Sequence, residues 1–404
     1  MSKNIIFCAD GTWNGPMQDD NNDGLTDITN VYKLFLDIRG ELDTVSLKLK
    51  DEQEKTTRDA TGVITQVAKY IHGVGDSENF LNKLLGGALG LGIVERIVRG
   101  YTFISRNYVP GDKIFLVGFS RGAYTVRALA GLITTSGLLD ASKYDLSDRD
   151  EGYRLGCTVW KTYREGSGKD QSWLQKKLRD LPAFFSNEVE AQKMITGVEI
   201  EAIGVWETVG ALGIPQYDHD RRLDLFRFTD TALSKGVKYG RQAIAIDEER
   251  IDFTPVFWDL REGVFQALFS GVHADVGGGY AALNQGNGLS DCAYIWMRNE
   301  LIHLGLNVKV KQYSADFRGQ IHCEWGYKGI YKNAPRGLIS PTYEGIAIHR
   351  SAVHRLGSES PMPVCSPENG NWIKQLYQPS SLRALLESPW NIPGHFRIAD
   401  DKQV

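Results

Sequence analysis

Ser120 sits in Gly118-Phe119-Ser120-Arg121-Gly122, a G-x-S-x-G pattern. An apolar, β-branched-rich run over 114–117 precedes it, and a segment over 121–136 that is apolar at helical spacing follows it. Strand, tight turn and helix around a serine form the setting of a nucleophile elbow. Such a turn strains the backbone of its central residue. The flanking glycines carry no Cβ, so strand and helix can close on one another. The hydroxyl is thereby lifted to a helix N-terminus, where unpaired N–H groups stabilise an oxyanion. The chemistry predicted is nucleophilic acyl transfer.

A serine nucleophile needs a base and an acid. In hydrolases with this elbow the chain order is serine, carboxylate, histidine. Seven of the eight histidines follow Ser120, and His273 has the most telling surroundings, Gly271-Val272-His273-Ala274-Asp275-Val276-Gly277-Gly278-Gly279-Tyr280. It follows a strand-like run and precedes a glycine-rich loop, where a base can reach a nucleophile held above a sheet. Glu207, in Gly204-Val205-Trp206-Glu207-Thr208-Val209-Gly210, also follows a strand-like run. A carboxylate there would hold the imidazole tautomer and stabilise the imidazolium. Asp275, Asp247 and Glu248 are the alternative acids, Asp275 reading better as a residue that orders the glycine loop through backbone N–H groups. One oxyanion donor is expected at the N–H of Arg121. The other is expected from a neighbouring strand-end loop, with Gly11 and Thr12 in one candidate loop and Gly73 in another. Gly73 and Gly75 do not extend into either phosphate-cradling spacing.

These residues need a large α/β scaffold. The 404 residues suit one such domain with insertions. Hydrophobic residues at 42% and charged residues at 24% are ordinary globular composition, enough for a buried core. A net charge of −4 without a Lys/Arg block argues against nucleic acid as a partner. The five cysteines are odd in number and lack C-x-x-C spacing, so neither a disulfide framework nor a metal site is expected, and the mechanism calls for no cofactor. Asp10 cuts short the N-terminal apolar run, which therefore does not read as a signal peptide, and no run reaches the ~18 apolar residues of a membrane span. Synthesis in the cytoplasm is expected, with any export by another route.

Strands are predicted over 5–9, 63–71, 114–117, 198–206, 252–258 and 265–272, with a hairpin or excursion over 41–60. Helices are predicted over 77–108, 121–136, 228–246 and 289–304, and residues 15–30 read as a loop. Strands alternating with helices imply a mostly parallel sheet flanked by helices. The site is then expected beyond the C-terminal ends of the strands. Residues 140–197, more polar and carrying Trp160, Trp173, Phe184 and Phe185, read as an inserted helical cap. The expected division is a catalytic domain over 1–310, with 311–404 packed on it or completing it. The apolar stretch 80–94 reads as a buried helix or as a lipid-contacting lid.

Taken together and in order, seven segments carry a family likeness: Asp10–Asn14 (DGTWN), Tyr70–Gly75 (YIHGVG), Asn107–Gly131, Gly204–Gly210 (GVWETVG), Ala243–Arg250 (AIAIDEER), Gly271–Tyr280 and Gly288–Met297. With them the sequence resembles the type VI secretion phospholipase-effector domains of α/β-hydrolase fold, the class-one lipase effectors. The resemblance implies a serine esterase with nucleophile Ser120, base His273 and acid Glu207, and lipid acyl esters as substrate class. It also implies transient membrane contact, export by a type VI system, and a secretion-apparatus or immunity protein as partner. The chain departs from the family pattern by carrying Glu207 where Asp is usual. A soluble carboxylesterase of small esters and an inactive hydrolase-fold binding module are the competing expectations.

Overall fold

The computed structural model describes residues 2–11, 27–46, 51–73, 88–166, 189–209, 232–280, 288–326, 331–338, 345–382 and 396–404. Strand β1 (Asn4–Ala9) is buried at every position but its first, as befits a strand covered on both faces. It pairs in parallel with β4 (Ile64–Ile71) on one side and β5 (Lys113–Phe119) on the other, placing Ala9 level with Ile71 and Gly118. Beyond β5 the sheet continues through β8 (Ile200–Trp206), β9 (Val237–Ala245), β10 (Val264–Phe269), β11 (Ala347–His349) and β14 (Arg397–Ala399), all parallel. At the opposite edge β3 (Glu52–Arg58) and β2 (Glu41–Leu42) add antiparallel to β4. The result is a ten-stranded, mostly parallel sheet with helices on both faces. Two short antiparallel pairs lie outside it, β6 (Leu138–Leu139) with β7 (Met194–Ile195), and β12 (Met362–Cys365) with β13 (Trp372–Gln375).

Successive side chains of a strand face opposite ways. Phe7 therefore joins the core beneath α2 (Ala88–Asn107), α3 (Arg121–Ser136) and α4 (Arg149–Gly166), with Tyr101, Leu129 and Trp160. Its neighbours Ile6 and Cys8 join the core on the other face, beneath α1 (Asn30–Asp37) and α6 (Gly288–His303), with Phe35, Trp206 and Trp296. Thr29 caps α1, its hydroxyl accepting from the Tyr32 N–H at 3.1 Å. A short helix α5 (His273–Gly277) follows β10, and α7 (Arg350–Leu356) follows β11. No helix among the described residues is long and apolar enough to cross a membrane.

Three expectations change. Of the helix expected over 228–246, residues 237–245 are instead strand β9, paired between β8 and β10 and buried from Gly240 onward. Its run Ala243-Ile244-Ala245 has no period that separates a buried strand from a buried helix. Over 252–258, one turn of 3₁₀ helix and irregular chain replace the expected strand. Pro255 has no N–H for a ladder, and the Val256 carbonyl is taken by the side chains of Arg127 and Gln242. In the segment expected as a cap, α4 packs into the core layer with α2: Trp160 is 1% exposed, and Gly156 sits against Val98 and Thr102. Trp173, Phe184 and Phe185 lie outside the described residues. So do residues 80–87 of the expected lid, while Ile93 and Val94 are buried in the helical core. Strands β11 and β14, from residues beyond 310, pair into the central sheet.

Candidate active site

Ser120 joins β5 to α3 with φ 56° and ψ −120°. Among the described residues only Ser120 and Glu207 combine a positive φ with a side chain. Each such conformation costs on the order of 1–3 kcal/mol and persists only where the surroundings enforce it. At Ser120 the flanking glycines enforce it. A Cβ on Gly122 would stand 2.0 Å from the Ala9 carbonyl oxygen, and one on Gly118 would stand 2.6 Å from the Ala123 nitrogen. Both contacts are with backbone, so Gly122→Ala is expected to destabilise the fold by about 1–3 kcal/mol or more. An unchanged thermal midpoint would contradict this packing account of the elbow.

The Ser120 N–H donates to the Trp206 carbonyl at 3.1 Å, tying the elbow to the end of β8. Glu207 is the next residue, and its N–H donates to the Ala243 carbonyl of β9. Its side chain is fully buried. Oε2 lies 3.1 Å from His273 Nδ1, and Oε1 accepts from the Ala245 N–H at 2.7 Å. Arg336 grips both oxygens, Nη1 to Oε1 at 3.0 Å and Nη2 to Oε2 at 2.9 Å. Burial would raise the carboxyl pKa. The Arg336 guanidinium and the His273 hydrogen bond together outweigh it and hold the group at about 2.

His273 opens the one-turn helix α5, three residues being left between it and the end of β10. Asp275 braces that turn by accepting from the Val272 N–H at 3.0 Å. The imidazole lies between rings, Phe119 at 4.7 Å and Phe253 edge-on at 4.9 Å. Phe119 immediately precedes Ser120, so the imidazole and the serine share one strand end. A carboxylate only accepts hydrogen bonds, so Nδ1 carries the proton and Nε2 is the basic nitrogen. Burial lowers the imidazole pKa, and the Glu207 carboxylate only partly offsets this.

The other expected site residues fall at three strand ends. Arg121 is the first residue of α3. Gly11 follows β1, but its N–H donates to Asp10 Oδ1 at 2.7 Å. That carboxylate also accepts from Tyr70 Oη at 2.5 Å and Thr29 Oγ1 at 2.8 Å. Burial pushes the Asp10 carboxyl up to about 6, against the pull of these hydrogen bonds. Gly73 lies just past β4, and Thr12 lies outside the described residues. The alternative acids are engaged elsewhere. Asp275 holds His322, Nδ1 at 2.6 Å and the backbone N–H at 3.0 Å, rather than the N–H groups of the glycine run. Asp247 accepts from the Gly271 N–H and Tyr377 Oη. Glu248 is paired with Arg250 and accepts from the His273 backbone N–H at 3.2 Å. Among the described residues no cluster of His, Cys, Asp and Glu could hold a metal ion.

Two contributors escaped the sequence reading, Arg336 and Phe253. Arg336 lies more than a hundred residues from Glu207 in an irregular segment, where an arginine reads as a solvated surface charge. Phe253 lay in the supposed strand over 252–258. No local pattern marks either residue.

A family model described as "T6SS, Phospholipase effector Tle1-like, catalytic domain" matches residues 3–300. Among curated proteins, an uncharacterized protein of Saccharomyces cerevisiae is 26% identical over 273 residues, 63% of this chain and 33% of that protein. An uncharacterized protein from Pseudomonas aeruginosa with a solved crystal structure is 18% identical, with a TM-score of 0.40, over 76% of this chain and 47% of the other. The Tle1 effector, solved bound to the VgrG spike of the type 6 secretion system, is 16% identical, with a TM-score of 0.37, over 70% and 52% of the two chains. The chain thus spans about a third of the yeast relative and about half of each solved chain. Since the family model takes in most of its length, the chain belongs to the family of type VI secretion phospholipase effector Tle1-like catalytic domains.

Proposed function

We propose that this chain is a serine acyl hydrolase that cleaves acyl esters of phospholipids through Ser120, His273 and Glu207. The observations that carry the proposal are a serine held at positive φ in a glycine-flanked elbow, and an imidazole, packed on the ring of the preceding Phe119, whose Nδ1 is anchored on a buried carboxylate. In the first half-reaction His273 Nε2 takes the Ser120 proton as Oγ attacks the ester carbonyl. The N–H of Arg121 stabilises the oxyanion. The tetrahedral intermediate expels the alcohol, which takes the proton from His273, and leaves an acyl-serine. In the second, His273 takes a proton from water, whose hydroxyl attacks the acyl-enzyme. The carboxylic acid is released and the Ser120 hydroxyl restored. Glu207 stays ionised throughout and holds the imidazolium. Membership of the phospholipase effector family supports lipid as the substrate class. It also supports delivery by a type VI apparatus, with a component of that apparatus as partner.

The test is incubation with phospholipid vesicles and, separately, with a short-chain ester, products being identified by mass. Fatty acid and lysophospholipid are expected, together with covalent labelling of Ser120 by a fluorophosphonate probe. Turnover of the short ester alone would reduce the protein to a soluble carboxylesterase. Absence of both turnover and labelling would make it a binding module.

A pH profile follows from the buried imidazole. His273 must be neutral to act as base, and its pKa lies below the usual histidine value of about 6.5. The kcat/KM of the wild type is therefore expected to hold steady as pH falls to that value and to decline only below it. A decline beginning above pH ~7 would contradict the assigned base.

A further inference from the structure

We propose that Arg336 is a positioning residue for this reaction: its guanidinium fixes the orientation and the charge of the Glu207 carboxylate on which His273 depends. The inference rests on the proposed roles of Ser120, His273 and Glu207, and adds a group from outside the 3–300 segment that the family model matches.

The geometry is that of a two-sided clamp. Nη1 bridges Glu207 Oε1 at 3.0 Å and the Ala245 carbonyl at 2.6 Å. Nη2 bridges Glu207 Oε2 at 2.9 Å and the Phe253 carbonyl at 2.7 Å. One end of the clamp is thus β9. The other is the 3₁₀ turn whose Phe253 ring packs on the His273 ring. A planar guanidinium can make four such bonds at once, whereas an ammonium is a single point charge.

The need for a clamp follows from Glu207 itself. Glutamate has one more rotatable bond than aspartate, so its carboxylate can swing away from His273 unless it is held. Ala245 and Arg336 hold one oxygen, and Arg336 and His273 hold the other. The backbone of Glu207 is strained as well, at φ 44°, and the carboxylate is fully buried. An unpaired carboxylate in such a place takes up a proton rather than remain charged. Arg250, the other cation that bears on His273, is paired with Glu248 through Nη2 at 2.8 Å.

Arg336→Ala and Arg336→Lys would be assayed on a short-chain ester across pH, alongside the wild type and Ser120→Ala. In the wild type Glu207 stays ionised throughout the working range, so the acid limb of kcat/KM belongs to His273 alone. Without the guanidinium, the burial that raises the Glu207 pKa is no longer offset, protonation of Glu207 enters the working range, and the limb is expected to move up in pH. At the plateau kcat is expected to drop by about 100-fold with KM little changed, because Arg336 aligns a catalytic group and does not touch the substrate. Arg336→Lys retains the charge. It is expected to restore most of the pH profile but not the rate.

Folding is checked by thermal unfolding of each variant. If the alanine variant does not fold, the lysine variant decides alone through its rate and profile. A folded Arg336 variant with the wild-type acid limb and a kcat within twofold would overturn the inference. The underlying reading fails separately, and visibly, if wild-type activity survives in Ser120→Ala.

Discussion

Replacing Ser120 with alanine is expected to lower ester turnover by on the order of 10⁶-fold, the scale of loss when a serine hydrolase is deprived of its nucleophile. The elbow would survive the change. Its shape is set by Gly118 and Gly122 packing against Ala123 and Ala9, and alanine at 120 adds no atom that must find room. The hydroxyl makes no capping hydrogen bond to α3, so the helix loses no cap. Initial rates on phospholipid vesicles and on a short-chain ester, with thermal unfolding as a fold check, test this. Activity within tenfold of the wild type would remove Ser120 from the chemistry. Residual turnover well below that but above background is consistent with binding and oxyanion stabilisation persisting.

Replacing Glu207 with glutamine is expected to cost about 10⁴-fold in kcat, as loss of the acid does in triads of this kind. An amide NH₂ facing Nδ1 would favour the wrong imidazole tautomer, with the proton moved to Nε2, where the base is needed. The same change leaves the Arg336 guanidinium buried against a neutral group. A stability loss of about 3–5 kcal/mol is therefore expected beside the kinetic one. The two effects separate by pH. The folded-state pKa of Glu207, about 2, lies below the unfolded value, so its ion pair contributes full stability above about pH 4.3 and loses it as pH falls toward 2. Glu207→Gln should remove that part of the acid sensitivity, leaving a shallower decline of unfolding free energy across this window. The kinetic loss should persist at every pH. Near-wild-type rates would take the acid role from Glu207, and an unchanged acid unfolding profile would contradict the ion pair.

The elbow was legible because everything that makes it is local. A strand-like run, two glycines and a helical stretch occupy about twenty-five consecutive residues, and the helix over 121–136 lies where periodicity places it. The strand ends carrying Glu207 and His273 were legible too, since an apolar run that stops at a polar residue marks the edge of a buried sheet. Misreadings came where local pattern is ambiguous. Val237–Ala245 is continuously buried from Gly240 on, so parallel pairing on both sides, not period, makes it a strand. Ile251–Phe253 turns where apolar content alone reads as extended chain.

What the sequence determined by itself, then, is the serine in its turn, the order serine–glutamate–histidine and the mostly parallel α/β class. Each depends on neighbours a few residues away or on the spacing of strands. Only the tertiary structure decided which carboxylate meets which histidine. Asp275 is two residues from His273 yet holds His322, while Glu207, sixty-six residues away, lies 3.1 Å from Nδ1. The sheet brings the ends of β8 and β10 together on either side of β9, and α5 turns the Asp275 side chain away from the imidazole two residues before it. Only the tertiary structure, likewise, brought Arg336 to Glu207. This buried ion pair is made by residues remote in sequence, and its strength comes from the exclusion of water, which no stretch of sequence displays.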